Sequence, residues 1–408
     1  MEQPPMIPHL FRTEYRKIVS VLCKRFGFAQ METAEDIASE TFLIATHSWG
    51  LQGTPPNPVA WLYTVAENKA KTLLQREKVF RDKISPAIRH AGDPACEPEI
   101  DLSADGIRDS QLQMMFAICH PSIPPESQIG LSLRILCGFG IEEIADAFLT
   151  NKETINKRLF RARERLREEN IPIEMPPAAE LEARLETVLT TIYLLFNEGY
   201  YSESRNDVLR KDLCLEAVRL CHMLTENPLT DQPPVSALLA LMCFHASRFE
   251  ARLDKNGEII LYDDQDSSLW NASLIAQGGF YLGRAARGQS LSSYHLEAMI
   301  AFWSTRKSDE PEKWDQLLHL YDRLLPLRYS PIAALNRTYA LARAKGKQTA
   351  IAEAEKLGLA DNHLYFVLLG YLFTGIDDAR ALENYQRALT LARTTADRNT
   401  IEKKMARL

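Results

Sequence analysis

Apolar residues recur along the chain at three- and four-residue spacing in one segment after another, and they never settle into the alternation of a half-buried strand. In ETAEDIASETFLIATHSW, Ala34, Ile37, Ala38, Thr41, Phe42 and Ala45 fall on one side of a helix. The Gly- and Pro-rich GLQGTPPNP, residues 50–58, follows and is expected as a loop. Helical pattern resumes in VAWLYTVAENKAKTLLQREKVFRDK, with Trp61, Leu62, Val65 and Leu73 as candidate buried positions. Further on, ESQIGLSLRILCGF predicts an amphipathic helix stopped by a Gly-Phe-Gly turn. IEEIADAF then places Ile141, Ile144, Ala145 and Phe148 on one face. KETINKRLFRARERLR carries one apolar stripe, Ile155, Leu159, Ala162 and Leu166, and Asn151 before it suits an N-cap. The expected fold class is all-α.

Breaks in this pattern divide the chain. Residues 83–107 are polar, acidic and interrupted by Pro and Gly, and 171–179 hold three prolines; both read as linkers. Residues 252–268 form a turn-rich excursion between helices. The expected units are 1–82, 108–170 and 180–408. Within the last, Tyr339 and Tyr371 are 32 residues apart, and Tyr321 and Tyr385 twice that. With alternating small Ala positions, this resembles tetratricopeptide-type helix pairs from about residue 310.

Composition narrows the class. The chain has 408 residues, 46% hydrophobic and 25% charged, which suits a globular protein of two or three domains and excludes a disordered one. No apolar run is long enough to span a membrane, and the N-terminus lacks the pattern of a secretory signal. The seven cysteines include no Cys-x-x-Cys pair, which favours reduced thiols in the cytoplasm over disulfides or a zinc site. No phosphate loop, HExxH or GxSxG is present, so the reading is a non-enzyme without metal or cofactor.

Charge changes the picture locally. The net charge is −6, yet residues 151–167 hold seven Lys/Arg against two Glu, and 69–83 hold six basic against two acidic residues. Helix, short turn, then a basic helix with one apolar stripe is helix-turn-helix geometry. Asn151, Lys152, Glu153, Thr154, Asn156 and Lys157 would face base edges, and Arg158, Arg161 and Arg165 phosphates. Basic residues beside aromatics at 59–83 suit melted or single-stranded nucleic acid.

Together, AEDIASETFL, a loop, AWLYTVAENKA, a linker and GFGIEEIADAFLTNKETINKRLFRARERLR resemble the extracytoplasmic-function sigma factors of the sigma-70 family over about residues 10–170. The long C-terminal part is similar to a subgroup with a tetratricopeptide-like extension. The resemblance implies a region-two helical domain, a helix-turn-helix region-four domain and a C-terminal helical-repeat domain. It implies core RNA polymerase binding through Asp36, Ile37, Glu40, Thr41 and Phe42. Minus-ten contacts would fall on His47, Ser48 and Trp49 in a base-capturing loop from Thr46 to Pro58 and on Asn68, Lys69, Lys71 and Arg76, with Trp61 on the same helix as these four, and minus-thirty-five contacts on the helix at 152–167. Glu67 and Thr72 depart from the usual pattern, a commonly basic and a commonly acidic position respectively. The partners implied are core polymerase, promoter DNA and a protein or peptide regulator on the extension.

Two other classes compete. A helix-turn-helix repressor with a ligand-binding helical domain would leave the helix around 34–42 without a role. An interaction scaffold or enzyme in 180–408 would make the N-terminal part a remnant. His245, Arg248, Arg252, Asp263 to Asp266 and Trp270 read as a salt-bridged network holding the 252–268 loop or, less simply, as a ligand pocket.

Overall fold

The computed structural model describes residues 6–84, 100–148, 150–200, 210–252, 260, 262–288, 291–307, 310–392 and 395–408. Among the described residues there is no strand; the chain is all-α, with 18 α-helices. It divides into two compact units, Met1–Leu194 and Leu195–Leu408.

In the first unit, α1 (Met6–Phe26), α2 (Met31–Gln52) and α3 (Pro58–Ile84) pack on one another, with a 3₁₀ turn, Phe28–Gln30, between α1 and α2. Their core holds Ile18, Val19, Leu22, Ala34, Ala38, Phe42, Leu62 and Ala66. Here α2 continues through the segment expected as a loop. Its stop is Gly53, whose φ of 82° lies in the left-handed region and whose N–H closes on the Trp49 carbonyl at 3.1 Å. The true loop is Gly53 to Asn57, and Asn57 caps α3 by accepting from the Ala60 N–H at 3.1 Å.

The next helices are α4 (Ala104–Ile118), α5 (Pro125–Leu131), α6 (Ile141–Ala147) and α7 (Lys152–Glu168), with a π-helical turn, Ser132–Leu136, continuing α5. The expected linker at 83–107 is shorter at both ends. α3 reaches Ile84, and α4 starts inside it because Ser103 accepts from the Gly106 N–H at 3.0 Å; residues 85–99 lie outside the described residues. The 5-residue π turn and α5 are buried nearly all round, not amphipathic.

The proline-rich stretch 171–179 does not separate the units. Beyond it, α8 (Ala178–Tyr200) buries Leu185, Val188, Leu189 and Ile192 in the first unit. Thr191 donates to the Gln128 side-chain oxygen at 2.8 Å, and Arg184 to the Phe116 carbonyl at 2.6 Å. Gln128 itself donates to the carbonyls of Ile123 at 2.9 Å and His120 at 3.1 Å, so this buried amide is satisfied.

The second unit opens with the end of α8, then α9 (Lys211–Thr225), α10 (Pro233–Ala246), α11 (Ala272–Ala285) and α12 (Ser293–Ser304). α10 is its centre, hydrophobic on every side and packed on α9, α11 and α12. Six helices follow: α13 (Pro311–Leu327), α14 (Pro331–Lys345), α15 (Lys347–Glu355), α16 (His363–Phe373), α17 (Asp378–Leu391) and α18 (Thr395–Met405). Each packs on the next. Taken as consecutive pairs, they explain the tyrosine spacing. Tyr339 and Tyr371 occupy the second helices of the first two pairs, and their rings meet at 5.1 Å; Tyr321 and Tyr385 occupy the first helices of the first and third. Cys23, Cys119, Cys137, Cys214, Cys221 and Cys243 are all buried, and none of them is in a disulfide; Cys96 lies outside the described residues.

Candidate nucleic-acid interface

The residues expected to touch other macromolecules divide sharply by exposure. On α2, Ile37, Thr41 and Phe42 are core residues, with Thr41 bonding back to the Ile37 carbonyl at 2.7 Å and Phe42 set edge-on to Phe11 at 5.0 Å. They cannot form a surface; their stripe faces the unit's own core. The exposed side of α2 carries Asp36, Glu40 and two residues the pattern missed, Leu43 at 70% and Leu51 at 76% exposure. Leu43 lies inside the continuous apolar run Phe42-Leu43-Ile44 and Leu51 inside the stretch read as a loop, so neither stood out in the periodic pattern.

His47, Ser48 and Trp49 sit on the last turns of α2, not in a loop. His47 is exposed and Ser48 half-buried, while Trp49 is buried edge-on against Trp61 at 5.4 Å. Trp49 therefore anchors α2 to α3 and is not poised to receive a base. On α3, Asn68, Lys71 and Arg76 are exposed and Lys69 half-buried. Lys69 pairs with Glu40 of α2 at 2.6 Å and Lys71 with Glu67 at 2.5 Å, so the acidic Glu67 offsets a lysine within its own helix. The side chains of Lys78, Arg81 and Lys83 lie outside the described residues.

The second basic helix is built as its stripe predicts. Ile155, Leu159, Ala162 and Leu166 are buried, while Lys152, Glu153, Thr154, Asn156 and Lys157 project from its first turns. Asn151 commits its side-chain oxygen to the Thr154 N–H at 2.8 Å, leaving its amide nitrogen outward. Before it, α6 buries Ile144 and Ala145 and is capped by Glu143, which accepts from the Gly140 N–H at 2.7 Å. Ile141 and Phe148 are only half-buried, and Arg158 lies over the Phe148 ring at 5.3 Å. Arg161 and Arg165 are exposed, the latter paired with Glu169 at 2.6 Å. Phe160, 58% exposed, stands among these cations and was not anticipated because it is one residue off the buried stripe. The arrangement presents a helix N-terminus of polar side chains and a flank of guanidiniums, which is suited to a groove and its phosphates.

In the second unit, the described contacts of the His245 cluster are mostly cation–aromatic. Arg252 lies over the Tyr200 ring at 3.9 Å and Arg248 over Tyr262 at 5.5 Å, with His245 against Tyr200 at 4.6 Å. Asp266 caps a turn by accepting from the Ser268 N–H at 2.9 Å. Residues 253–259 and 261 and the Asp263 side chain lie outside the described residues. Burial, with Arg248 and Arg252 alongside, holds the His245 imidazole well below its ordinary pKa.

Residues 10–79, the span of α1 to α3, match sigma-70 region 2. The chain carries a sigma-70 region 2 domain. Residues 184–286 match a second family, described as a family of unknown function (DUF6596). An uncharacterized protein of Rhizobium meliloti (strain 1021) is 33% identical over 378 residues, covering 91% of this chain and 88% of the relative. The two belong to one family, and the match spans both the region 2 part and the C-terminal part. No solved structure matches the chain. A region 2 domain supports a role in transcription initiation and implies core RNA polymerase and promoter DNA as partners. No helix among the described residues is long and apolar enough to cross a membrane.

Proposed function

We propose that this protein is an extracytoplasmic-function-type sigma factor that directs core RNA polymerase to a specific set of promoters, with α6 and α7 as its region-four helix-turn-helix. The observation that carries the reading is a sigma-70 region 2 domain followed, in the same compact unit, by a capped helix pair with an exposed basic face. Region two would engage polymerase through Asp36, Glu40 and the exposed Leu43 of α2, and the minus-ten region through His47, Asn68, Lys69, Lys71 and Arg76 of α2 and α3. In α7, Lys152 to Lys157 would read the minus-thirty-five element in the major groove, and Arg158, Arg161 and Arg165 would hold its phosphates. The helix pairs from α13 to α18 form a tetratricopeptide-like array, a scaffold whose side suits a protein or peptide regulator. The protein acts in the cytoplasm, where polymerase and promoters are, and the chemistry belongs to the polymerase.

The test is co-purification of the full chain with core polymerase, followed by run-off transcription from genomic fragments. Stoichiometric binding and discrete transcripts are expected. Loss of both would sink the reading.

A further inference from the structure

In the second unit, cations and aromatic rings gather on the Tyr262 ring, where the ends of α8 and α10, the turns from Tyr262 to Trp270 and the start of α13 come together. The Arg248 guanidinium, just past α10, lies 5.5 Å from the ring centroid, and the Lys313 ammonium of α13 lies 5.3 Å from it. Trp270 lies against the same ring at 6.1 Å. Lys313 is buried and donates to the Tyr262 hydroxyl at 3.1 Å and to the Arg306 carbonyl. Arg248 also donates to the hydroxyl of Tyr200, at the end of α8, at 3.4 Å. The Asn271 N–H donates to the Ser247 carbonyl at 2.8 Å, which ties these turns to the end of α10.

Three buried polar atoms of this cluster have no hydrogen-bond partner: Arg248 Nε, the indole Nε1 of Trp270 and the side-chain oxygen of Gln265. Trp270 is 8% exposed and Gln265 4%. The remaining groups of Gln265 are met, since its amide nitrogen donates to the Ile260 carbonyl at 3.1 Å and its backbone carbonyl accepts from Lys307. Among the described residues no carboxylate pairs with Arg248, whose contacts are a phenol hydroxyl and a phenol ring. The positive field registers on His245, which burial, Arg248 and Arg252 hold well below its ordinary pKa. An unmet buried donor or acceptor costs about 1–3 kcal/mol, and a desolvated cation costs more until an anion meets it. Two unmet donors beside cationic heads, one unmet acceptor and flat aromatic faces are complementary to a small ring that carries a carboxylate and a hydroxyl.

We propose that this cluster is a binding site for a small hydroxylated aromatic carboxylate, with Arg248 and the Trp270 indole holding its carboxylate, Tyr262 and Trp270 flanking its ring, and the Gln265 oxygen accepting from its hydroxyl. The site stands independently of the sigma-factor reading. Inorganic phosphate would satisfy the donors, but it would set a further acceptor against the Gln265 oxygen and leave the aromatic faces uncovered. Arg248, Gln265 and Trp270 fall within the residues that match the family of unknown function, whereas Lys313 belongs to α13, the first helix of the repeat pairs. A ligand held here would therefore join the helices around α10 to the array that follows.

The experiment titrates the full chain by calorimetry with 4-hydroxybenzoate, benzoate and inorganic phosphate as probes. Saturable binding of 4-hydroxybenzoate is expected, with benzoate about threefold or more weaker for want of one hydrogen bond, and no measurable phosphate binding. Arg248→Gln should weaken 4-hydroxybenzoate about tenfold or more, while Arg161→Ala, a cation removed from α7 of the other unit, should leave it unchanged. Gln265→Leu should abolish the preference between the two aromatic acids and spare benzoate, which a merely structural role for Gln265 would not do. Absence of saturable binding by both aromatic acids overturns the site. Phosphate binding as tightly as 4-hydroxybenzoate overturns the aromatic class, and equal losses in the Arg248 and Arg161 variants overturn the location. Circular dichroism checks folding, and if Arg248→Gln loses helicity, the change of preference in Gln265→Leu decides the location instead.

Discussion

Phe42 and Leu43 are neighbours with opposite fates. One is 4% exposed and the other 70%, so substitutions at the two should separate folding from binding. Phe42→Ala should cost about 3–5 kcal/mol in urea unfolding, as large-to-small changes in cores do. Leu43→Asp should leave the unfolding midpoint nearly unmoved while weakening polymerase binding about tenfold or more, read by titration against labelled polymerase. The sequence pattern could place Ile37, Thr41 and Phe42 on one face, but periodicity finds a stripe without saying whether the chain's own core or a partner covers it. His245 gives a second residue-scale expectation. Its folded-state pKa is depressed, so the unfolded chain binds the proton first as pH falls. The stability this residue contributes is present above its unfolded value of about 6.5 and is lost below it, at most about 1.4 kcal/mol per pH unit. Unfolding of the full chain between pH 7.5 and 5.5 should therefore steepen in acid, and His245→Gln should flatten part of that slope. His295 and His120, also depressed by burial, will keep the remainder.

Among the elements, α7 was the most legible and α2 the least complete. Stripe, cap and charge of α7 were all local, and all appear as expected: Asn151 caps it, and four apolar residues are buried. Asn151→Ala should cost about 1 kcal/mol of stability through the lost cap. Arg161→Ala should reduce the slope of log affinity against log salt by about 0.9 for minus-thirty-five duplex binding if it neutralises one phosphate. The end of α2 was misplaced because Gly50 and the prolines after it look like one continuous break, whereas only Gly53 adopts the left-handed conformation that stops the helix. In the second unit, α16 and α17 meet at Gly370, where an added Cβ would lie 2.6 Å from the Tyr385 ring. Gly370→Ala should push these helices apart and lower thermal stability by roughly 1–3 kcal/mol.

For the whole molecule, the division into units is where the sequence was least informative. The prolines at 171–179 mark a change of direction that reads as a tether, but what unites α8 with the first unit is a pair of bonds spanning 63 and 68 residues, Thr191 to Gln128 and Arg184 to Phe116. Nothing local announces such pairing. A chain cut after residue 175 should leave Gln128 without one of its bonds and expose the surface under Leu185 and Val188. It should melt well below a chain ending at residue 194, measured by circular dichroism. The all-α class was legible because the helical period survives in any short window.

The six buried thiols have a consequence for watching this protein move. Desolvation pushes Cys119 up to about 11 and Cys214 and Cys243 to about 12, and it raises Cys23 and Cys221 as well. A buried thiol that resists ionisation reacts with an alkylating reagent only when its surroundings open. Three of the six lie in each unit, with Cys23 beside α2 and Cys119 and Cys137 near α5. The chain thus carries its own set of clocks. Pulses of reagent followed by peptide mass mapping will time the opening of each unit separately, in the intact molecule and without a single introduced probe.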